Sequence, residues 1–230
     1  MPDTKPQVTD DARQRSAQRR REKMRQRLLF AALDVFLMSE ITRPPVIDDV
    51  IRKAGVSRGT FYKYFTSLEE VLRELGQTMA EDMIKTYERV FIKLTDPAAR
   101  LAAGPLLSLT HAAMQPRRVE FTIRVDYIDY LSRGTRAREI ITDSLDDARQ
   151  AGLVHFTSLT AITDMVIGST LEGGRRLMHT KNFDESYIDE LVRLILLGCG
   201  LTAESSHSAI TLARQELEVN THQLHWWQPN

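Results

Sequence analysis

One stretch of the sequence, residues 45–72, constrains the fold more than any other. Its first half carries apolar residues at the spacing i, i+3, i+4 and i+7, which predicts a short amphipathic helix with the stripe Ile47, Val50, Ile51 and Ala54. Gly55 then stands where a helix can end in a left-handed residue, and Ser57 is a good N-cap for a second helix. Two helices joined by so short a turn form a helix-turn-helix, whose second helix can enter the major groove of DNA.

The neighbouring residues extend this pattern. Phe61 and Phe65 are four residues apart and share the inward face of the second helix. Ser67 and Glu70 have the S-x-x-E spacing of a capping box, which predicts that a further helix starts there. The run GVSRGTFYKYFTSLEEVL therefore resembles the recognition helix and following turn of TetR-type transcriptional regulators. Upstream, LLFAALDVF resembles the first helix of that family, so the match covers about residues 25–75.

This resemblance implies an all-α chain. It would consist of an N-terminal three-helix, helix-turn-helix DNA-binding domain and a larger helical domain that binds a ligand and forms a homodimer. We assign the boundaries as a disordered basic arm at 1–21, the DNA-binding domain at 22–83 with its motif at 46–65, the effector-binding and dimerisation domain at 84–220, and a tail at 221–230.

Three positions depart from the family pattern. Ser39-Glu40-Ile41 replaces the usual glycine turn after the first helix. Pro44 and Pro45 stand where the family commonly has a Thr or Ser cap, so Thr42 or the pair Asp48 and Asp49 is expected to cap the next helix. Leu68 replaces a lysine that looks like a phosphate contact in the family, and the basic arm is expected to compensate.

Charge is distributed unevenly along the chain. Residues 1–65 contain 14 Lys and Arg against 8 Asp and Glu, a net charge of +6, and residues 66–230 contain 17 against 23, a net charge of −6. A basic N-terminal third on an acidic body indicates a polyanionic partner at one end. Eight basic residues between Arg13 and Arg27, opposed only by Glu22, indicate an arm that contacts phosphates or an adjacent minor groove. The alternative is a solvated tail.

Within the motif, residue types suggest roles in binding double-stranded DNA. Arg58, Thr60 and Lys63 are candidates for base-edge contacts, and Gly59 would allow the helix backbone to approach closely. Tyr62 and Tyr64 would donate to phosphates, although Tyr64 could instead pack against the first helix. The predicted DNA-binding set, with two residues of the basic run, is Arg58, Gly59, Thr60, Tyr62, Lys63, Tyr64, Arg21 and Arg25.

The C-terminal two thirds lack a sharp motif. Gly104-Pro105 is expected to break or kink a helix at 98–114. Residues 119–131 alternate like a strand, but no neighbouring segment could pair with a strand, so we predict a helix. The segment YIDELVRLILLGCGL is apolar nearly all round, which favours burial of a second face against another subunit.

By the family layout, helices around 105–180 would enclose the effector. The candidates, each of which could equally be an ordinary core or surface residue, are Met114, Phe121, Tyr127, Tyr130, Met165 and Glu172.

Several classes of function find no support in the residues. The sequence has no Gly-rich phosphate loop, no G-x-S-x-G and no Cys–His cluster with zinc spacing, and His222 with His225 would supply only two metal ligands. We therefore expect no enzyme activity, no cofactor and no metal. A single cysteine, no apolar run of about 18 residues and no secretory h-region favour a cytoplasmic protein without a membrane span.

These observations predict a sequence-specific DNA-binding transcriptional regulator. Its most favoured form is a homodimeric repressor that a small-molecule effector releases from a near-palindromic operator. An activator or an effector-independent DNA-binding protein of the same fold is the main alternative. A ligand-binding protein with a non-functional DNA reader and a nucleoid-type binder without operator preference also remain open.

Overall fold

The computed structural model describes residues 7–39, 43–126, 136–179 and 185–224, and within these ranges every regular element is helical. The all-α prediction is confirmed. The helices are α1 Gln7–Met38, α2 Ile47–Ala54, α3 Arg58–Tyr62, α4 Leu68–Val90, α5 Pro97–Met114, α6 Pro116–Asp126, α7 Arg136–Gln150, α8 Leu159–His179, α9 Glu185–Gly198 and α10 Ala203–Val219, followed by a 3₁₀ turn at Thr221–Gln223.

The chain forms two compact units, Met1–Leu75 and Gly76–Asn230. The division lies eight residues before the boundary that we placed after residue 83. It falls inside α4, so this helix contributes its first two turns to the first unit and the rest to the second. An apolar stripe predicts that this helix continues to about Leu94, and its members are Val71, Leu75, Met79, Met83, Tyr87, Val90 and Phe91. In the structure α4 ends somewhat earlier, at Val90.

Helix α1 is longer than the sequence predicts. We expected residues 1–21 to be a disordered arm, but α1 already begins at Gln7, so residues 7–21 are helical in the structure. The reason is local, because Gln7–Met38 contains neither Gly nor Pro and is rich in Arg, Gln, Ala and Leu, which favour helices. The prediction of disorder depended on the lack of apolar periodicity, and periodicity does not measure helix propensity.

The first unit has a small core built around the two motif helices. Helices α1 and α2 pack against each other. The apolar stripe predicted for α2 contributes Val50 and Ala54 to this core, and the recognition segment, residues 57–65, contributes its two phenylalanines. The buried set includes Leu28, Leu29, Ala32, Phe36, Val50, Ala54, Phe61, Phe65 and Val71.

Helix α5 lies at the centre of the second unit. It packs against α6, α7, α8, α9 and α10, and most of its residues are buried. Asp96 caps its start by accepting a hydrogen bond from the Ala99 N–H at 2.7 Å. The predicted break at Gly104-Pro105 is wrong: α5 runs unbroken through Pro105 because the packing around it offsets the missing backbone hydrogen bond.

The remaining helices largely follow the predicted pattern. Residues 116–126 are helical, which confirms the helix chosen over a strand as far as Asp126. Gly152 and Gly200 have φ of 71° and 99° and follow α7 and α9 where the sequence predicts helix ends. Thr202 caps α10 through the Ser205 N–H at 3.1 Å. No helix in the described ranges is both long and apolar enough to cross a membrane.

Candidate functional site

The turn between α2 and α3 is set by local hydrogen bonds. Gly55 has φ 62° and ψ 43°, and the N–H of Val56 reaches the carbonyl of Ile51 at 3.2 Å, which completes a Schellman motif. The Ser57 hydroxyl accepts a hydrogen bond from the Thr60 N–H at 3.1 Å and so caps α3. The predicted helix-turn-helix is thus confirmed in its glycine turn and in its N-cap.

In the recognition segment, residues 57–65, some side chains are buried in the core and others face solvent. Phe61 and Phe65 are buried completely or nearly so, which confirms their inward face. Most of the predicted DNA-binding side chains point outward. Arg58, Gly59, Tyr62 and Lys63 are exposed, whereas Thr60 and Tyr64 are half-buried. The structure therefore brings these six residues onto one open surface around α3.

Arg58 already has a partner on this surface. Its Nη2 donates to Asp48 Oδ1 of α2 at 2.6 Å, and both side chains are largely exposed. This hydrogen bond and the charge of Asp48 raise the pKa of Arg58 above its ordinary value. The guanidinium is thereby held over the start of α3, with its remaining N–H donors open.

Arg25 has a different position from the one expected of a DNA contact. Its Nε donates to Glu74 Oε1 at 2.6 Å, its Nη1 donates to the Tyr64 carbonyl at 3.1 Å, and its guanidinium lies 4.4 Å from the ring centroid of Phe65. The hydrogen bond to Glu74 raises the pKa of Arg25. The structure thus uses Arg25 to tie α1 to α4 and to the end of the recognition segment. Arg21, one turn earlier on α1, is exposed.

The helix caps around the motif test the predictions made for Asp48, Asp49 and Ser67, whereas Thr42 lies outside the described residues. Asp49 caps α2, because its Oδ2 accepts a hydrogen bond from the Val46 N–H at 3.1 Å. Ser67 caps α4 through the Glu70 N–H at 3.2 Å, as predicted. The Glu70 carboxylate, however, accepts from the N–H of Thr66 at 2.6 Å, one residue before the reciprocal partner of a capping box.

The second unit contains a cavity of about 690 Å³ between α4, α5, α6, α7, α8 and α9. The wall from α4 comes from residues 76–87 and includes Gly76, Met79, Met83 and Tyr87. The rest of the wall is mostly aliphatic, and its members include Leu101, Leu107, Val119, Ile141, Val166, Ile167, Leu171, Ile195 and Leu196. A cavity of this size and character is typical of sites for small organic molecules.

The four predicted effector residues that the structure describes are not among those that line this cavity. Phe121 is completely buried, Met114 and Met165 pack against the hydrophobic core, and Glu172 forms an exposed ion pair with Arg175. Tyr127 and Tyr130 lie outside the described residues. The sequence did carry a signal for the true wall, because Met79, Met83 and Tyr87 belong to the apolar stripe of α4.

Two buried titratable groups face the cavity. Burial lowers the pKa of His111 on α5 to about 4, from an ordinary value of 6.5, so its imidazole is neutral at pH 7. Burial raises the pKa of the Cys199 thiol to about 11, so this cysteine has little thiolate character. In the part of the chain that the structure describes, no cluster of His, Cys, Asp and Glu has the arrangement of a metal site.

The fold is shared with several solved structures. RolR in complex with resorcinol has a TM-score of 0.58 at 18% identity, covering 84% of this chain and 95% of RolR. A gamma-butyrolactone receptor, described as ArpA-like, has a TM-score of 0.62 at 15% identity, covering 87% and 98%. A putative TetR-family transcriptional regulator from Syntrophomonas wolfei has a TM-score of 0.60 at 18% identity, covering 84% and 96%. At such identities the likeness shows the fold.

Sequence comparison bears on the helix-turn-helix itself. No curated protein matches the chain. The family model described as "Bacterial regulatory proteins, tetR family" matches residues 46–75, which span α2, the glycine turn, α3 and the start of α4. In this segment the chain is similar to the tetR family of bacterial regulatory proteins, and its fold is similar to that of a solved protein described as a putative member of that family.

Proposed function

We propose that this regulator is a homodimeric repressor that a small-molecule effector releases from a near-palindromic operator. The observation that carries the proposal is the path of α4. Its first residues follow the recognition segment directly, and from Gly76 to Tyr87 the same helix forms one wall of the cavity. A ligand that displaces this wall would therefore move α4, the helix that directly follows the recognition segment.

Sequence readout is assigned to α3. Arg58, Thr60 and Lys63 would contact base edges, Gly59 would permit close approach, and Tyr62 and Tyr64 would bind phosphates. Asp48 supports this assignment for Arg58, because the ion pair holds the guanidinium in one orientation and leaves other N–H donors available. For Arg25 we propose a positioning role, since its guanidinium binds the Tyr64 carbonyl inside the unit.

The basic part of α1 is proposed to bind phosphates outside the operator core. Arg13, Arg20 and Arg27 recur every seven residues and are exposed, so they lie nearly in line along one side of the helix. Arg21 is exposed on the same helix. Deletion of residues 1–21 should reduce the slope of log affinity against log salt by about 0.9 for each phosphate that the protein no longer neutralises. An unchanged slope would show that this segment does not bind DNA.

Dimerisation is proposed to use the last two long helices. Leu194 of α9 and Leu212 of α10 are 51% and 42% exposed, although leucine side chains gain free energy from burial. Two copies related by a two-fold axis would present two α3 helices to the two halves of a near-palindromic operator. A single Leu194→Glu substitution should then weaken the dimer, which sedimentation velocity measures, and with it the affinity for DNA.

Release by an effector requires a difference in affinity between two states of the protein. A ligand that binds the DNA-bound and free states equally shifts nothing. The similar structures support a small organic ligand, because one was solved with resorcinol and another is described as a gamma-butyrolactone receptor. In this chain the cavity of about 690 Å³ is large enough for molecules of either kind.

The decisive experiment is selection of bound sequences from a random DNA pool, followed by a ligand screen for release. We expect enrichment of a near-palindrome, and disappearance of that enrichment in the double variant Tyr62→Ala, Lys63→Ala. A pool without enrichment would indicate a nucleoid-type binder. An enriched operator that no ligand releases would indicate an effector-independent regulator, and stimulated transcription from the operator would indicate an activator.

A further inference from the structure

Every charge in the cavity wall of the described chain is already paired. Asp82 lies 3.7 Å from Arg118, and Glu81 lies 3.6 Å from Lys85. The other arginines of the wall bind carboxylates of neighbouring helices, in the pairs Arg100–Asp147, Arg136–Glu88 and Arg138–Asp164. Each charge of the wall is therefore already balanced by a neighbouring one, and an ionic ligand would compete with these counter-ions for its own partner.

Most hydroxyl groups of the cavity wall already donate their protons to backbone carbonyls. The Ser144 and Thr170 hydroxyls donate to the carbonyls of Ile140 and Val166, each at 2.8 Å. In the same way Thr122 donates to the Arg118 carbonyl at 3.2 Å. A hydroxyl that donates to the preceding turn of its own helix offers only oxygen lone pairs to a ligand. These groups therefore act toward the cavity as acceptors.

Helix α5 adds a backbone acceptor on the same wall. Pro105 has no N–H, so the carbonyl of Leu101 lacks the donor that an α-helix normally places four residues later. Leu101, Gly104 and Pro105 all line the cavity, and a Cβ built on Gly104 would meet no atom within 4 Å. The gap left by the glycine side chain is therefore open space beside an incompletely bonded carbonyl.

Ser108 lies one turn farther along this face of α5. It lines the cavity, and its hydroxyl makes no hydrogen bond within the described part of the chain. Because a hydroxyl can both donate and accept, Ser108 can bind either side of a ligand hydroxyl group. Gly104 and Ser108 are four residues apart and thus share a face, so they form one polar notch on this side of α5.

We propose that the cavity binds an uncharged, mainly apolar molecule with a hydrogen-bond donor, an alcohol or a phenol, whose hydroxyl lies in the notch formed by Leu101, Gly104 and Ser108. Paired charges disfavour anions and cations, the aliphatic wall favours an apolar body, and the surplus of acceptors selects a ligand that donates. This inference rests on the proposed function only in that the same cavity would take the effector.

The test is a matched series of ten-carbon ligands titrated into the full chain without DNA. Isothermal titration calorimetry compares 1-decanol with decyl methyl ether, decanoate and decylammonium. We expect decanol to bind about fivefold to tenfold more tightly than the ether, which accepts but cannot donate, and at least about tenfold more tightly than either ion. Equal affinity for the ether overturns the donor requirement. Tighter binding of an ion, or absence of decanol binding, overturns the proposal.

Substitutions in the notch test whether the ligand hydroxyl binds there. Gly104→Leu should abolish decanol binding, because the side chain enters the open space of the notch. Its matched control is Gly168→Leu on α8, where a Cβ also meets nothing within 4 Å but the residue is exposed and does not line the cavity. Ser108→Ala should leave binding in place and reduce the preference for decanol over the ether. If Gly104→Leu does not fold, the Ser108→Ala ratio decides, and an unchanged ratio contradicts the notch.

Failure of this inference is distinguishable from failure of the proposed function. Decanol binding without any effect on DNA affinity would leave the ligand class standing and refute the effector role. Release of DNA by a charged ligand that binds the cavity would support the effector role and refute the proposed ligand class.

Discussion

The recognition surface and the cavity treat polar groups in opposite ways. Around α3, Gly59, Tyr62 and Lys63 face solvent, where water can satisfy their polar atoms. In the described part of the cavity wall, most hydroxyls bind carbonyls of their own helices and each charge has a counter-ion. The difference follows from solvation, because a buried polar group must find its partner inside the protein. An exposed surface can therefore leave many hydrogen-bond donors without a protein partner. A buried cavity can leave only a few polar groups without one, and these select its ligand.

The largest effect should come from breaking the buried side of the recognition helix. Phe61→Ala removes a completely buried ring and should destabilise the first unit by about 3–5 kcal/mol. The adjacent Tyr62→Ala is the matched control, because Tyr62 is 50% exposed and its removal should cost less than about 1 kcal/mol. Hydrogen exchange in peptides from residues 47–75 measures both. Equal protection in the two variants would show that Phe61 does not hold this unit together.

The next largest effect should come from His111, a buried histidine in the cavity wall, through the pH dependence of the free energy of unfolding. Folding lowers the pKa of His111 from 6.5 to about 4, so the unfolded chain binds the proton more readily. Stability is then fully present above pH 6.5 and falls as the pH drops toward 4, by up to about 3 kcal/mol. Urea unfolding of His111→Gln should show a flatter profile over this range than the wild type.

The control for that experiment is His207→Gln, which changes an exposed histidine on α10. Its pH profile should match the wild type. A His111→Gln profile as steep as that of the wild type would mean that acid destabilisation has another origin.

A smaller effect should separate two exposed residues of the recognition surface. Lys63→Ala should lower affinity and relax base preference at one operator position, by about 1–3 kcal/mol of discrimination. Tyr62→Ala should weaken binding to operator and random DNA alike, because a phosphate contact carries no base information. Competition binding with the selected operator and with random DNA measures both effects. Equal reductions on the two DNAs for Lys63→Ala would remove it as a specificity residue.

The smallest effect tests the cap that starts the recognition helix. Ser57→Ala removes the acceptor for the Thr60 N–H and should cost about 1 kcal/mol. Ser208→Ala, at an exposed position on α10, provides the control and should change stability by less than about 0.5 kcal/mol. Thermal unfolding compares the two. A Ser57→Ala protein as stable as its control would show that water replaces the cap.

The helix-turn-helix could be predicted closely because its determinants are local. The Gly55 turn, the Ser57 cap and the inward faces of Phe61 and Phe65 each depend on residues within one or two helical turns. Arg25 shows where local reasoning ends. Its basic side chain suggested DNA, but Glu74, 49 residues away, and the Tyr64 carbonyl bind it inside the fold.

The cavity could not be predicted in the same way. Phe121 has the residue type of a pocket wall but is buried in packing, while Gly104, which suggested a helix break, lies in the wall itself. A pocket is the space that several helices leave between them, so its lining depends on how α4 to α9 pack. No periodicity within one helix contains that information.

The sequence by itself therefore determined the all-helical class, the motif with its turn and caps, and the concentration of positive charge in the first third of the chain. These follow from propensities and hydrogen bonds between residues close in sequence. Tertiary structure alone decided that Arg25 is held inside its unit, that α5 continues through Pro105, and which side chains surround the 690 Å³ cavity. Those outcomes depend on contacts between residues far apart in sequence, which only packing brings together.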